Sequence, residues 1–183
     1  ASYTIRRYRH QLYRMSSDWL SWLNVPLTEQ VLTLSSNSSS HSANNLTSFI
    51  VRSSDSYTWQ LQVKPYALVR LLENSVDGVA QQIVLKVAPL DRKQRLKTEM
   101  AARPQAGKKL YQTLGIPLWL RESLMVVSIT LIKKSEDGSE IETDIPLLLA
   151  SPFESWLLSS EQTDSDAKSN QLAEYIKSEL SLK

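Results

Sequence analysis

The chain has no cysteine among its 183 residues. That excludes disulfides, thiolate metal sites and a cysteine nucleophile together. Histidine is nearly as scarce: only His10 and His41 occur, and neither has a carboxylate within three or four positions. The converging imidazole and carboxylate ligands of a metal centre are therefore not foreseen. The four glycines, Gly78, Gly107, Gly115 and Gly138, lie too far apart to build a phosphate-cradling loop. Gly107-Lys108-Lys109 looks like the end of a P-loop, but Ala102 stands where the first glycine belongs and no Ser or Thr follows the first lysine. No apolar run approaches the roughly 20 residues that a membrane-spanning helix needs. The longest, Leu124 to Ile132, is interrupted by Ser128 and Thr130. No cofactor or metal is expected, and no catalytic machinery is legible. The absence of cysteine is compatible with a cytoplasmic location, which is the expectation.

Charge is plentiful and unevenly divided. Residues 1–134 carry eighteen Lys/Arg against eight Asp/Glu, a balance of +10, whereas residues 135–183 carry three against eleven, a balance of −8. The net charge of +2 conceals both. Asymmetry of this kind points to a polyanionic partner or a charged tail.

Ile5, Tyr8, Leu12, Met15, Trp19 and Trp22 recur at alternating spacings of three and four, the stripe of an amphipathic helix. A helix over about 4–23 is expected, with a break at Ser16-Ser17, where Ser17 could cap a second short helix, and an end before Pro26. The aromatic content makes a strand over 3–14 the alternative. Residues 35–45 are a Ser/Asn run that cannot bury apolar surface and should form a loop. Tyr57, Trp59, Leu61 and Val63 alternate with polar residues, so 57–63 reads as a half-buried strand paired with 47–52 through Ser53–Ser56. Pro65 opens a short helix to Leu72, Asp77-Gly78 marks a turn, and a strand follows at about 81–88. A basic helix is expected over 91–114, broken at Pro104 and stopped by Gly115 and Pro117. Met125 to Lys133 and Glu140 to Leu149 form a hairpin across the turn 135–139. A helix is expected from Pro152 to about Ser160, and a last amphipathic helix carries Leu172, Ile176 and Leu180.

About five strands in hairpin order with four or five covering helices, and no regular β-α-β alternation, indicate an α+β fold with an antiparallel sheet. The expected organisation is one domain over 1–160, then a polar linker and C-terminal amphipathic helix over 161–183. Glu140, Glu142 and Asp144 share a strand face, which reads as solvated surface opposite Ile141, Thr143 and Ile145. Trp119-Leu120-Arg121-Glu122 and Pro146-Leu147-Leu148-Leu149 are similar to short stretches of chorismate lyases, but these eight residues stand alone and the regions between do not follow.

The basic segments carry the functional expectation. Asp91, Arg95 and Glu99 would form a ladder along the 91–114 helix, leaving Arg92, Lys93 and Lys97 unpaired. Together with Arg6, Arg7, Arg9, Arg14, Lys108 and Lys109 they could displace counterions from a phosphate backbone, with Tyr3, Tyr8, Tyr13 and Tyr111 available for stacking on bases. The expected function is a small non-enzymatic nucleic-acid-binding protein, the partner being nucleic acid or another polyanion. Two alternatives stand beside it. One is a protein–protein adaptor or assembly subunit using the 5–22 or 172–180 stripe. The other is a small-molecule enzyme or binding protein with an unrecognised pocket, for which a deep cavity lined by Arg121 or Glu122 would speak.

Overall fold

The computed structural model describes residues 2–35, 45–73, 82–159 and 166–183. Most of the expected 35–45 loop and the Asp77-Gly78 turn lie outside these residues. The molecule is α+β, and every sheet is antiparallel.

The first sixteen residues correct the helix expectation. Tyr3–Tyr8 (β1) and Gln11–Ser16 (β2) are a two-stranded hairpin, and only Ser17–Leu23 (α1) is helical. Arg9 and His10 make the turn, with Arg9 at φ 56° in the left-handed region. Ser16, not Ser17, caps α1, its hydroxyl accepting from the Trp19 N–H at 3.2 Å.

Three further strands follow: β3 (Gln30–Ser35), β4 (Thr47–Ser53) and β5 (Thr58–Val63). The alternation of β5 buries Trp59, Leu61 and Val63, as its period of two requires. Helix α2 spans Pro65–Glu73, and the next strand, β6, spans Gln82–Pro89. The long strands β7 (Met125–Lys134) and β8 (Glu140–Ala150) pair across their whole length. The largest sheet has five strands in the order β3-β6-β7-β8-β9, where β9 is Ser155–Leu157. A three-stranded sheet, β10-β5-β4, is completed by Leu180–Leu182 (β10) at the end of the chain. Between the two sheets runs α4 (Asp166–Glu179), which packs on β8, β9, β5 and α2 and buries Leu172, Ala173 and Ile176. Leu180 is thus the first residue of a strand rather than the last position of the helical stripe.

Two more helix expectations are corrected. Of 91–114 only Gly107–Leu114 (α3) is helical, followed by the 3-10 helix Leu118–Ser123. The Asp91 carboxylate accepts the Lys93 N–H at 2.9 Å and so stabilises a turn in competition with helix. Leu96 and Thr98 then bury themselves and bridge to Gln105 and Leu158. Without a helix the Asp91–Arg95–Glu99 ladder does not form, and Arg95 instead donates to the Pro104 carbonyl at 2.9 Å. Nor do the described residues 152–159 form the helix expected after Pro152. The Ser151 hydroxyl accepts from the Phe153 and Glu154 N–H groups, at 3.4 and 3.1 Å, and turns the chain back so that β9 pairs with β8.

Candidate nucleic-acid interface

A two-stranded hairpin is marginal in water unless it packs against something. Two devices hold β1–β2 to the body of the molecule. Tyr13 and Tyr8 meet the ring of Trp119 edge-on, with centroids 5.3 and 6.2 Å away, and Arg6 lies over the same indole at 5.6 Å. At the tip, the Arg9 guanidinium donates to the Gln112 carbonyl at 2.5 Å. That carbonyl belongs to the last turn of α3, where it also accepts the Gly115 N–H at 3.3 Å and carries the partial negative charge of the helix C-terminus. Gly115 closes the helix in the left-handed conformation, φ 67°, and a Cβ there would lie 3.2 Å from Arg9 Nη1. The glycine thus serves both the turn and the approach of the arginine.

Register assigns the hairpin's faces. Thr4, Arg6, Tyr8, Tyr13 and Met15 share the face that meets Trp119, and Met15 is buried. Tyr3, Ile5, Arg7, Leu12 and Arg14 share the other, and Tyr3, Ile5 and Leu12 are 53%, 61% and 74% exposed. On that face Arg14 stacks over Tyr3 at 3.9 Å. The expected seam is therefore divided: Met15, Trp19 and Trp22 turn inward, whereas Ile5 and Leu12 face out.

The structure joins some of the expected basic residues and separates others. Arg9 ties the hairpin directly to α3, whose Lys108 and Lys109 are exposed. Arg92 and Lys108 line a common basin of about 380 Å³ with Tyr111, Leu118, Arg121 and Glu122. Arg121 packs over Tyr111 at 4.9 Å and Arg92 is paired with Glu122. The basin is open: the Arg92 and Glu122 side chains are 69% and 73% exposed. It is a surface hollow rather than the deep cavity that a small-molecule site would call for. Arg7 donates to the Arg9 carbonyl at 3.2 Å, and Lys93 is exposed in the Asp91 turn. Lys97 sits elsewhere, half-buried beside Ser159, whose N–H donates to the Lys97 carbonyl. None of Arg6, Arg7, Arg9, Arg14, Lys93, Lys97, Lys108 and Lys109 pairs with a carboxylate among the described residues.

A second concavity, of about 520 Å³, borders β2 and is walled by Tyr3, Tyr13, Trp19, Tyr57, Trp119 and Phe153. Among the described residues Arg14 is the one charged side chain in its lining. Trp19 organises the floor, stacking on Trp22 with centroids 4.8 Å apart and meeting Tyr57 edge-on at 5.4 Å.

Glu140, Glu142 and Asp144 are exposed on β8, and Asp144 accepts a hydrogen bond from Thr130 on β7. No His/Asp/Glu cluster suited to a metal ion occurs among the described residues, and none of the helices described is long and apolar enough to cross a membrane.

Sequence reasoning missed Arg52. Simple alternation through buried Phe49 and Val51 would turn Arg52 outward, but a bulge between Ile50 and Arg52 shifts the register and turns it in. Only 3% exposed, it donates to the Ser123 hydroxyl at 2.8 Å and lies 4.9 Å from the Trp22 ring. Burial pushes its guanidinium down to about 10.

The chain is 27% identical over 166 residues to the tRNA(Ile)-lysidine synthase of Psychrobacter sp. (strain PRwf-1), covering 88% of this chain and 32% of that protein. It thus spans about a third of the length of the curated relative it matches. No family model and no solved structure matches the chain.

Proposed function

We propose that the chain is a non-enzymatic RNA-binding module that holds tRNA through the basic side chains of the β1–β2 hairpin and α3. The observation that carries this reading is the Arg9–Gln112 contact, which brings together segments 103 residues apart. It sets Arg6, Arg7 and Arg14 on a hairpin tied to the helix that bears Lys108 and Lys109. Cations that have no carboxylate partner among the described residues can displace counterions from phosphates. A relative named for its action on tRNA(Ile) supports RNA over other polyanions. A cytoplasmic location goes with such a partner.

The test is the binding of an unmodified tRNA transcript, followed by fluorescence anisotropy at a series of salt concentrations. With about six phosphates neutralised, affinity falls roughly a thousandfold between about 50 and 200 mM salt. The double variant Lys108→Glu/Lys109→Glu weakens binding and flattens that salt slope by about one to two. Salt-independent binding, or no binding at low salt, refutes the proposal.

The exposure of Tyr3, Ile5 and Leu12 favours a second reading, in which the outer hairpin face meets a protein. Under it, Ile5→Ser/Leu12→Ser abolishes partner capture and leaves tRNA affinity intact.

A further inference from the structure

We propose that the aromatic cleft beside β2 is a slot for an unpaired nucleobase of the bound RNA. The inference rests on the RNA-binding reading and extends it from backbone charge to base contact. Phosphate contacts position a nucleic acid but do not engage its bases. Base contact with RNA takes place mainly at unpaired nucleotides, whose bases splay out and stack on aromatic rings or on the plane of an arginine.

The cleft has both kinds of surface. Tyr3, Tyr13, Trp119 and Phe153 present rings around an opening of about 520 Å³, within the range of about 300–1,000 Å³ typical of ligand pockets. Phe153 is 64% exposed at the rim, its ring 4.9 Å from that of Trp19. Exposure of so large a ring is unfavourable in water and is relieved when a flat ligand covers it. Also in the lining, the Arg14 guanidinium lies 3.9 Å from the Tyr3 ring. Among the described residues the lining holds that one cation and no carboxylate, so their charge complements a phosphodiester. Trp119 joins the slot to the phosphate-contacting surface, since the ring that lines the cleft also packs against Arg6 and Tyr8 of the hairpin. A strand whose phosphates run along the hairpin would have its bases within reach of the opening.

The experiment uses the full chain and two probes: an oligouridylate about eight nucleotides long and a blunt RNA duplex without unpaired nucleotides. Tryptophan emission and anisotropy are recorded together. The oligouridylate is expected to quench tryptophan emission. In Phe153→Ala and in Tyr3→Ala the ratio of oligouridylate to duplex affinity falls about tenfold, a change in the range set by the loss of one stacked base. Phe153→Tyr restores the ratio. Urea unfolding of each variant shows whether a loss reflects the cleft or the fold. An unchanged ratio in both variants, or no quenching by oligouridylate, overturns the slot while salt-dependent duplex binding keeps the RNA reading intact. No binding of either probe overturns the RNA reading and the slot with it.

Discussion

Replacing Arg9 separates two effects that act on the same residue. The side chain stabilises: it donates a charge-assisted hydrogen bond to a carbonyl at the C-terminus of α3. At an exposed position, and with the helix dipole included, such a contact contributes about 1 kcal/mol. The backbone destabilises: at φ 56° a non-glycine residue costs about 1–2 kcal/mol. Arg9→Ala removes the contact and keeps the strain, so it should lower stability by about 1 kcal/mol. Arg9→Gly removes both and should leave stability within about 0.5 kcal/mol of the parent. The pair is measured by urea unfolding followed by tryptophan emission, with an unchanged slope showing that the unfolded state is unaffected. In a chain of this size about 1 kcal/mol appears as a shift of roughly 2–4 °C in Tm. Hydrogen exchange of the β1–β2 amides should quicken in both variants, because both free the hairpin tip from α3. If Arg9→Gly destabilises as much as Arg9→Ala, the strain term is wrong. If Arg9→Ala changes neither stability nor exchange, the hairpin is not held by this contact and the joining of the two basic segments loses its basis.

Three other substitutions test separate parts of the structure. Gly115→Ala forces a side chain into the left-handed region, φ 67°, and 3.2 Å from Arg9 Nη1, and should cost about 1–2 kcal/mol in the same unfolding assay. Burial lowers the Arg52 pKa from its ordinary value to about 10, so the folded chain releases that proton first and the unfolded chain holds more protons above about pH 10. The unfolding free energy of the parent relative to Arg52→Met should therefore rise with pH between about 10 and 12, by at most about 1.4 kcal/mol per pH unit, and a flat difference refutes the burial cost. Glu122→Gln releases Arg92 from its ion pair and should raise tRNA affinity about two- to threefold at low salt, by anisotropy, with the gain fading as salt is added.

What could be read directly from the sequence followed from clean periodicity. Trp59, Leu61 and Val63 lie on one side of β5 because one side is buried, and β7–β8 forms around the turn at 135–139 for the same reason. The first sixteen residues deceived because their large apolar side chains fit a helical stripe, while the hairpin turn, Arg9-His10, lacks the glycine or asparagine that usually marks one. Its decisive partner, Trp119, lies more than a hundred residues away, and no local rule reports such a contact. Residues 91–106 show the same override: charge spacing suited a helix, but the Asp91 turn and the burial of Leu96 and Thr98 prevailed. Of the site, the basic residues were visible from composition and the aromatic cleft was not, because its rings come from five separate stretches of chain. Arg52 was hidden by a single bulge, which reverses the face that alternation assigns.

Ser2 and Leu182 border the same cleft, and Lys183 exchanges backbone hydrogen bonds with Thr58 at 2.7 and 2.9 Å. The β1–β2 hairpin and β10 therefore frame one opening. A small fluorophore coupled at Ser2 or Leu182 would stand at its mouth and report occupancy.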